Sequence, residues 1–118
     1  MVPMPLTDVA RAALRGEHLV VRQWAADCVR EHVPWASIGQ PEDLAGDELG
    51  VAAALVELLA ARAGQPPPPW TAGIPAVRTP IYFVPLTLPR SREASERESP
   101  EPLRRRGIFA MPNYLEFA

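Results

Sequence analysis

The chain has 118 residues, a formal net charge of −2, 15 prolines and no lysine, so that all its strongly basic side chains are arginines. This length is typical of one domain, and the slightly acidic balance argues against a general nucleic-acid binder, which is usually basic. The single cysteine, Cys28, excludes an intrachain disulfide and fits a reducing cytoplasm. The N-terminus lacks an apolar stretch of signal length, and no apolar run approaches the ~20 residues of a membrane span. We therefore expect a cytoplasmic protein.

The prolines divide the chain into two halves. Four lie at or before Pro41, and the other eleven follow residue 65. Because proline lacks an N–H and clashes with the preceding helical turn, this distribution predicts a small helical unit over residues 1–64. Residues 65–118 are predicted to be a proline-rich extended arm that ends in an arginine and aromatic element. A unit of about 65 residues is marginally stable alone, so we expect it to be covered by the arm or by another chain.

Three helices are predicted in the N-terminal half from apolar residues at spacings of three and four. They span residues 6–15, 17–32 and 41–63. The second carries an apolar stripe that includes Trp24 and Cys28, and it is expected to end before Pro34. The third has the strongest stripe and begins near two glycines, where a break is possible. The predicted fold class is mainly α, with about three helices followed by a proline-rich extended C-terminal region.

The C-terminal half is predicted to contain at most one short strand. Residues 65–69 read QPPPP, which favours a stiff polyproline II segment. Residues 81–84 have strand propensity, but the prolines on either side restrict them to an edge strand or an extended segment. Residues 90–98 are expected to be a solvated charged link, and residues 100–106 are expected to form one helical turn.

The sequence offers few groups for catalysis or metal binding. Cys28 and His32 lie four residues apart on one predicted helix and could form half of a metal site. A closed zinc site needs four ligands, and the chain has no second pair with this spacing. We therefore expect no enzymatic activity, no cofactor and no metal.

Arginine and aromatic residues in the C-terminal half are the candidates for binding a partner protein, since these residue types dominate interface hot spots. Arginines 104–106 form the densest charge cluster, and the alternative interpretation is a solvated turn. The aromatic side chains could equally belong to the chain's own core, and residues 81–84 could add a strand to a partner's sheet. The candidate residues are Trp70, Tyr82, Phe83, Arg104, Arg105, Arg106, Phe109, Tyr114 and Phe117.

Several segments resemble one group of small bacterial proteins. These segments are ARAGQPPPPWT at 61–71, PIYFV at 80–84 and ESPEPLRRRGIFAMPNYLEFA at 98–118, and residues 19–27 are similar in texture. Members of that group are encoded beside nucleotidyltransferase-like proteins and are regarded as the antitoxin-like halves of toxin–antitoxin pairs. The resemblance implies no catalytic residues, and it implies that residues 100–118 pair with the partner. It also implies occlusion, in which the arginine cluster pairs with the acidic residues that hold Mg²⁺ in a nucleotidyltransferase.

Three interpretations remain open at this point. The first is a non-catalytic protein-binding module, an antitoxin or small regulatory subunit that occludes a nucleotidyltransferase-like toxin. The second is a self-associating protein, a homo-oligomer whose tail packs on its own fold or on a second copy. The third is a DNA-binding regulator, which the acidic residues Asp27 and Glu31 beside Arg22 and Arg30 argue against.

Overall fold

A computed structural model describes residues 3–83 and 89–116 of the chain. Within these residues the prediction of a mainly helical fold is confirmed. No helix in the described residues is long and apolar enough to cross a membrane. The helices are α1 (Leu6–Leu14), α2 (His18–Arg30), α3 (Gly46–Arg62), α4 (Pro89–Glu98) and α5 (Glu101–Arg104), the strands are β1 (Ile81–Tyr82) and β2 (Ile108–Phe109), and short 3-10 turns cover Trp35–Ser37 and Pro69–Gly73.

The first two helices pack against each other, and their ends match the sequence signals. Helix α1 is followed by Gly16, which has a φ of 78°. Glycine reverses the chain there at little steric cost. Helix α2 ends before His32, which has a φ of 52°, and Pro34 follows it. Helix α1 packs against both α2 and α3, so it joins α2 to the longest helix.

Helix α3 is the central element of the fold. Every residue from Gly50 to Ala60 is buried, including the charged Glu57. A helix buried on all sides must be apolar around its whole circumference, and the run of alanine, valine and leucine in α3 meets this requirement. The sequence predicted that one apolar stripe of this helix would be buried, whereas the helix is buried on all sides between Gly50 and Ala60. The helix begins at Gly46, which has a φ of 57°. Residues 41–45, which were predicted to belong to this helix, therefore lie outside it.

A glycine on α3 permits one close approach from the C-terminal half. A Cβ atom at Gly50 would lie 3.2 Å from a methyl carbon of Val77. The backbone N–H of Val77 in turn donates to the carbonyl of Arg106 at 2.9 Å. The missing side chain at Gly50 thus lets residues near Val77 lie directly on the helix, where they meet the returning C-terminal chain.

The C-terminal half folds back over α3 instead of extending away from it. Leu103, Ile108 and Leu115 belong to the same hydrophobic core as Leu55 of α3. The predicted turn at residues 100–106 is confirmed by α5, which packs on α3. Residues 90–98, predicted to be a solvated charged link, form α4 instead of a link, although most of them are exposed as expected.

The two strands pair in parallel, with Ile81 opposite Ile108 and Tyr82 opposite Phe109. The N–H of Ile81 donates to the carbonyl of Gly107 at 3.0 Å, and that of Phe83 donates to the carbonyl of Phe109 at 2.7 Å. A short strand was predicted at residues 81–84, although residue 84 lies outside the described residues. Its partner β2 was not predicted, since nothing local in residues 108–109 distinguishes a strand from an apolar tail.

Leu55 provides a test of the central position of α3. Its side chain is completely buried, so we expect Leu55→Ala to lower the free energy of unfolding by about 2–5 kcal/mol through lost burial and an unfilled cavity. Urea denaturation followed by circular dichroism measures this change. The matched control is Leu19→Ala, because the side chain of Leu19 is 79% exposed and should change stability by no more than about 0.5 kcal/mol. Equal losses in the two variants would contradict the described core.

Candidate functional site

Arg106, one of the arginines predicted to bind a partner, lies inside the protein. Its side chain is 4% exposed and forms an ion pair with Glu57 of α3. Its Nη2 atom donates to Glu57 Oε2 at 3.3 Å and to the carbonyl of Thr71 at 2.7 Å. In this conformation the guanidinium neutralises an internal carboxylate, so it cannot reach a partner protein.

The other two arginines of the cluster lie at the surface. Arg105 shares Glu57 with Arg106 and also binds Glu101 at 3.1 Å. The guanidinium of Arg104 donates to the carbonyl of Arg97 at 2.8 Å. The cluster is thus divided: Arg106 is buried, Arg105 covers the ion pair, and Arg104 joins α5 to the end of α4.

The pair of arginines controls the charge of Glu57. Burial alone would raise the pKa of this carboxyl, but hydrogen bonds from Arg106, Arg105 and Thr71 together hold the pKa below its usual value. Glu57 therefore stays ionised in a buried position, which is stable only because its charge is compensated. The Nε atom of Arg106 is buried and has no acceptor among the residues that the structure describes.

Two of the predicted aromatic residues meet around His18, the first residue of α2. The ring centroid of His18 lies 5.0 Å from that of Phe83 and 6.0 Å from that of Tyr114, and the latter two lie 5.4 Å apart. Nδ1 of His18 is 3.2 Å from the hydroxyl oxygen of Tyr114. This aromatic cluster joins the start of α2, the end of β1 and the C-terminal turn at residues 111–116.

The remaining predicted aromatic residues lie elsewhere. Tyr82 stacks on Phe109 across the strands, and its hydroxyl donates to Glu96 of α4 at 2.6 Å. The indole N–H of Trp70 donates to the carbonyl of Ile38 at 2.8 Å. Each of these contacts is within the chain. Phe117 lies outside the described residues.

An exposed apolar surface on α2 and the C-terminal turn was not predicted. Leu19 and Val29 of α2 are 79% and 48% exposed, and Met111 at the start of the turn is 48% exposed. The signal was present in the sequence, because Leu19 and Val29 fall off the stripe of Trp24 and Cys28 that faces the core. We name this the α2–turn surface and define it by Leu19, Arg22, Val29, Met111 and Tyr114, with Leu115 beneath them.

Two grooves border Leu115 in this surface. One has a volume of about 270 Å³ and lies between Leu19, Met111 and Tyr114. The other has a volume of about 470 Å³ and lies between Val29, Leu59 and Arg62. Leu115 is itself buried. The surface therefore combines projecting apolar side chains with concave spaces.

The C-terminal turn is held in place by contacts from two helices. Arg62, in the last turn of α3, donates to the carbonyls of Tyr114 and Pro112. Leu115 has a φ of 61°, a conformation that is strained for a bulky residue and persists only where surrounding contacts determine it. The turn is therefore a fixed part of the α2–turn surface.

The groups that catalysis or metal binding would use lie apart. Within residues 3–83 and 89–116, no group of three or more histidine, cysteine, aspartate and glutamate side chains is placed to hold a metal ion. Burial raises the pKa of Cys28 to about 12, with a contribution from Asp27, so its thiol is protonated at neutral pH. A protonated, buried thiol is a poor nucleophile.

Comparisons of the chain with protein-family models, with curated proteins and with solved structures found no match.

Truncation of Arg106 should destabilise the fold strongly. We expect Arg106→Ala to lower the free energy of unfolding by about 3–5 kcal/mol, because it leaves a buried carboxylate partly compensated. Arg104→Ala changes an exposed side chain of the same type and should cost no more than about 0.5 kcal/mol. Urea denaturation of the two variants gives the comparison. Equal, small losses would mean that Arg106 is not a buried partner of Glu57 and would favour an outward-facing cluster.

Proposed function

We propose that this chain is a non-catalytic protein-binding module, an antitoxin or small regulatory subunit, and that it docks on its partner through the α2–turn surface. The observation that carries this proposal is the exposure of Leu19, Val29 and Met111 on one side of a small fold. The core is filled by other residues, so these three side chains add nothing to it. Burial of such side chains against a partner is favourable by roughly 25 cal/mol for each Å² removed from water.

The rigidity of the α2–turn surface supports the same proposal. Arg62 and the aromatic cluster hold the turn before any partner arrives. A surface that is already ordered loses little conformational entropy on binding. Tyr114 was among the residues predicted to bind a partner, and its ring contributes to this surface while its hydroxyl faces His18.

The nature of the partner rests on the resemblance of the C-terminal sequence. That resemblance suggests a nucleotidyltransferase-like toxin, which this chain would occlude. The occlusion hypothesis expected arginines 104–106 to pair with acidic residues of the toxin. Because Arg106 is buried, only Arg104 and Arg105 are placed at the surface for such contacts. Docking would therefore depend first on the apolar side chains of the α2–turn surface, with arginine contacts at most at its rim.

A second candidate function is self-association through the same surface. Exposed apolar side chains on one face also suit a symmetric dimer, in which the surface contacts its own copy. Light scattering on the pure protein distinguishes the two, since a salt-insensitive dimer that ignores other proteins favours self-association. DNA binding by α2 has less support, because Arg30 pairs with Asp27 on the same helix.

The main test is a single charge placed on the α2–turn surface. The tagged chain is purified from its native host, the stoichiometric partner is identified by mass spectrometry, and the dissociation constant of the rebuilt complex is measured by calorimetry. We expect Leu19→Asp to weaken binding by at least about 2 kcal/mol, roughly thirtyfold in Kd, because it places a carboxylate in an apolar interface. Circular dichroism should show an unchanged fold.

Two methionines provide a matched control pair. Met111→Glu alters the α2–turn surface, whereas Met4→Glu alters a methionine of similar exposure that lines a different groove. Weak binding by the first variant and normal binding by the second would support the proposed surface. Normal binding by both Leu19→Asp and Met111→Glu would exclude it, and a pure protein without any partner or dimer would contradict the binding function itself.

A further inference from the structure

A run of four prolines directly after α3 forms a ridge on the surface. Gly64, with a φ of 69°, follows the helix, and residues 65–69 read QPPPP. Each proline ring fixes φ at about −65°, and every residue from Gln65 to Pro68 precedes a proline, which keeps it out of the α region. Pro68 has a φ of −61° and a ψ of 146°, which are polyproline II values. We name residues 65–69 the proline ridge.

Burial along the proline ridge repeats every three residues, which is the period of a polyproline II helix. Gln65 is half-buried and Pro68 is completely buried, so the edge that they share lies against the fold. The other three prolines, Pro66, Pro67 and Pro69, are exposed. One edge therefore fixes the ridge in place and the other two face outward, with Pro66 and Pro69 on the same outward edge.

Hydrogen bonds from the fold hold both ends of the proline ridge. Oε1 of Gln65 accepts a hydrogen bond from the backbone N–H of Trp35 at 3.0 Å. The carbonyl of Pro68 accepts hydrogen bonds from the N–H of Thr71 at 3.2 Å and from its hydroxyl at 3.0 Å. A segment that is already held in an extended form loses little conformational entropy when a partner binds it.

The proline ridge offers apolar rings and hydrogen-bond acceptors, but its four prolines have no backbone N–H to donate. The carbonyls of Pro66 and Pro67 have no hydrogen-bond donor among residues 3–83 and 89–116. A partner that covers these residues must therefore combine flat apolar surface with donors at its edge. Tyrosine and tryptophan side chains have both properties, and grooves lined by aromatic side chains bind PxxP segments in the polyproline II form.

We propose that the proline ridge is a second interaction surface, and that its partner is a protein domain with a groove lined by tyrosine and tryptophan. The rings of Pro66 and Pro69 pack between the aromatic side chains, and donors of the groove bind the carbonyls of Pro66 and Pro67. The α2–turn surface is built from other residues. The inference therefore goes beyond the proposed function and does not depend on it.

The experiment uses nuclear magnetic resonance on the isotope-labelled full chain. Unlabelled SH3, WW and EVH1 domains, which have aromatic grooves for polyproline II segments, are added one at a time. We expect binding by at least one domain with a Kd below about 1 mM, with shifted signals at Gln65, Trp70 and Thr71. The signals of Leu19 and Val29 should stay unchanged. A free decaproline peptide should reverse the shifts, because it competes for the same groove.

Exposed prolines inside and outside the proline ridge provide matched variants. Pro66→Ala and Pro69→Ala each remove one ring from the same outward edge, and each should weaken binding by at least about tenfold. Pro80→Ala removes an exposed proline outside the ridge and should leave the affinity unchanged. Circular dichroism checks the fold of each variant. If a ridge variant does not fold, competition by decaproline against the unmodified chain decides the question.

Three results would overturn the proposal. These are no binding by any of the three domains, shifts that decaproline does not reverse, and equal affinities of Pro66→Ala, Pro69→Ala and Pro80→Ala. Leu19→Asp should leave binding to the proline ridge intact, so failure of this inference is distinct from failure of the proposed function. A ridge that binds an aromatic groove, in a chain whose α2–turn surface binds nothing, would sustain this inference and contradict only docking through the α2–turn surface.

Discussion

The ion pair between Arg106 and Glu57 is the constraint on which the rest of the structure depends. Glu57 lies on the most buried helix of the fold, where a carboxylate without a compensating charge would cost several kcal/mol. The compensating guanidinium comes from 49 residues further along the chain. The C-terminal half must therefore return to α3, and the parallel pairing of β1 with β2 places Gly107 and Phe109 beside Ile81 and Phe83 as it does so.

The α2–turn surface is a consequence of that return. Once Ile108 and Ala110 are buried on the core, the next residues reach the end of α3 and the start of α2. There the turn meets Arg62 and His18. The α2–turn surface thus combines side chains from both ends of the chain, and it exists only when the whole chain is folded. Recognition of a partner through this surface would select the complete fold over partly folded forms.

The sequence predicted the N-terminal helices well, because their formation depends on local periodicity, caps and breakers. It failed for features that depend on distant residues. The charged composition of residues 90–98 suggested a link, yet these residues form α4, in which Arg92 pairs with Glu96 and lies over the ring of Tyr82. The strand at residues 108–109 and the burial of Arg106 both require partners more than 20 residues away, which local patterns do not reveal.

In the candidate site, too, the sequence revealed local features and missed those that depend on distant residues. Arginine and aromatic composition selected Tyr114, which lies at the α2–turn surface, but it could not tell an internal guanidinium such as Arg106 from an external one. Leu19 and Val29 were accessible to sequence reasoning, since they lie off the buried stripe of α2. They were overlooked because single exposed apolar residues are ordinary on protein surfaces, and the groove that Leu19 lines together with Met111 appears only in three dimensions.

The buried ion pair of the C-terminal half responds to acid only well below neutral pH. Glu57 has its pKa held below the usual value of 4.5, so its contribution to stability is present above pH 4.5 and is lost only as the pH falls through the lowered value. Above that range Arg106 and Glu57 hold the C-terminal half on α3, because the carboxylate is ionised and both of its arginine partners are charged. Acid therefore acts on the contact that returns the chain to α3, and not on the apolar core that the return completes.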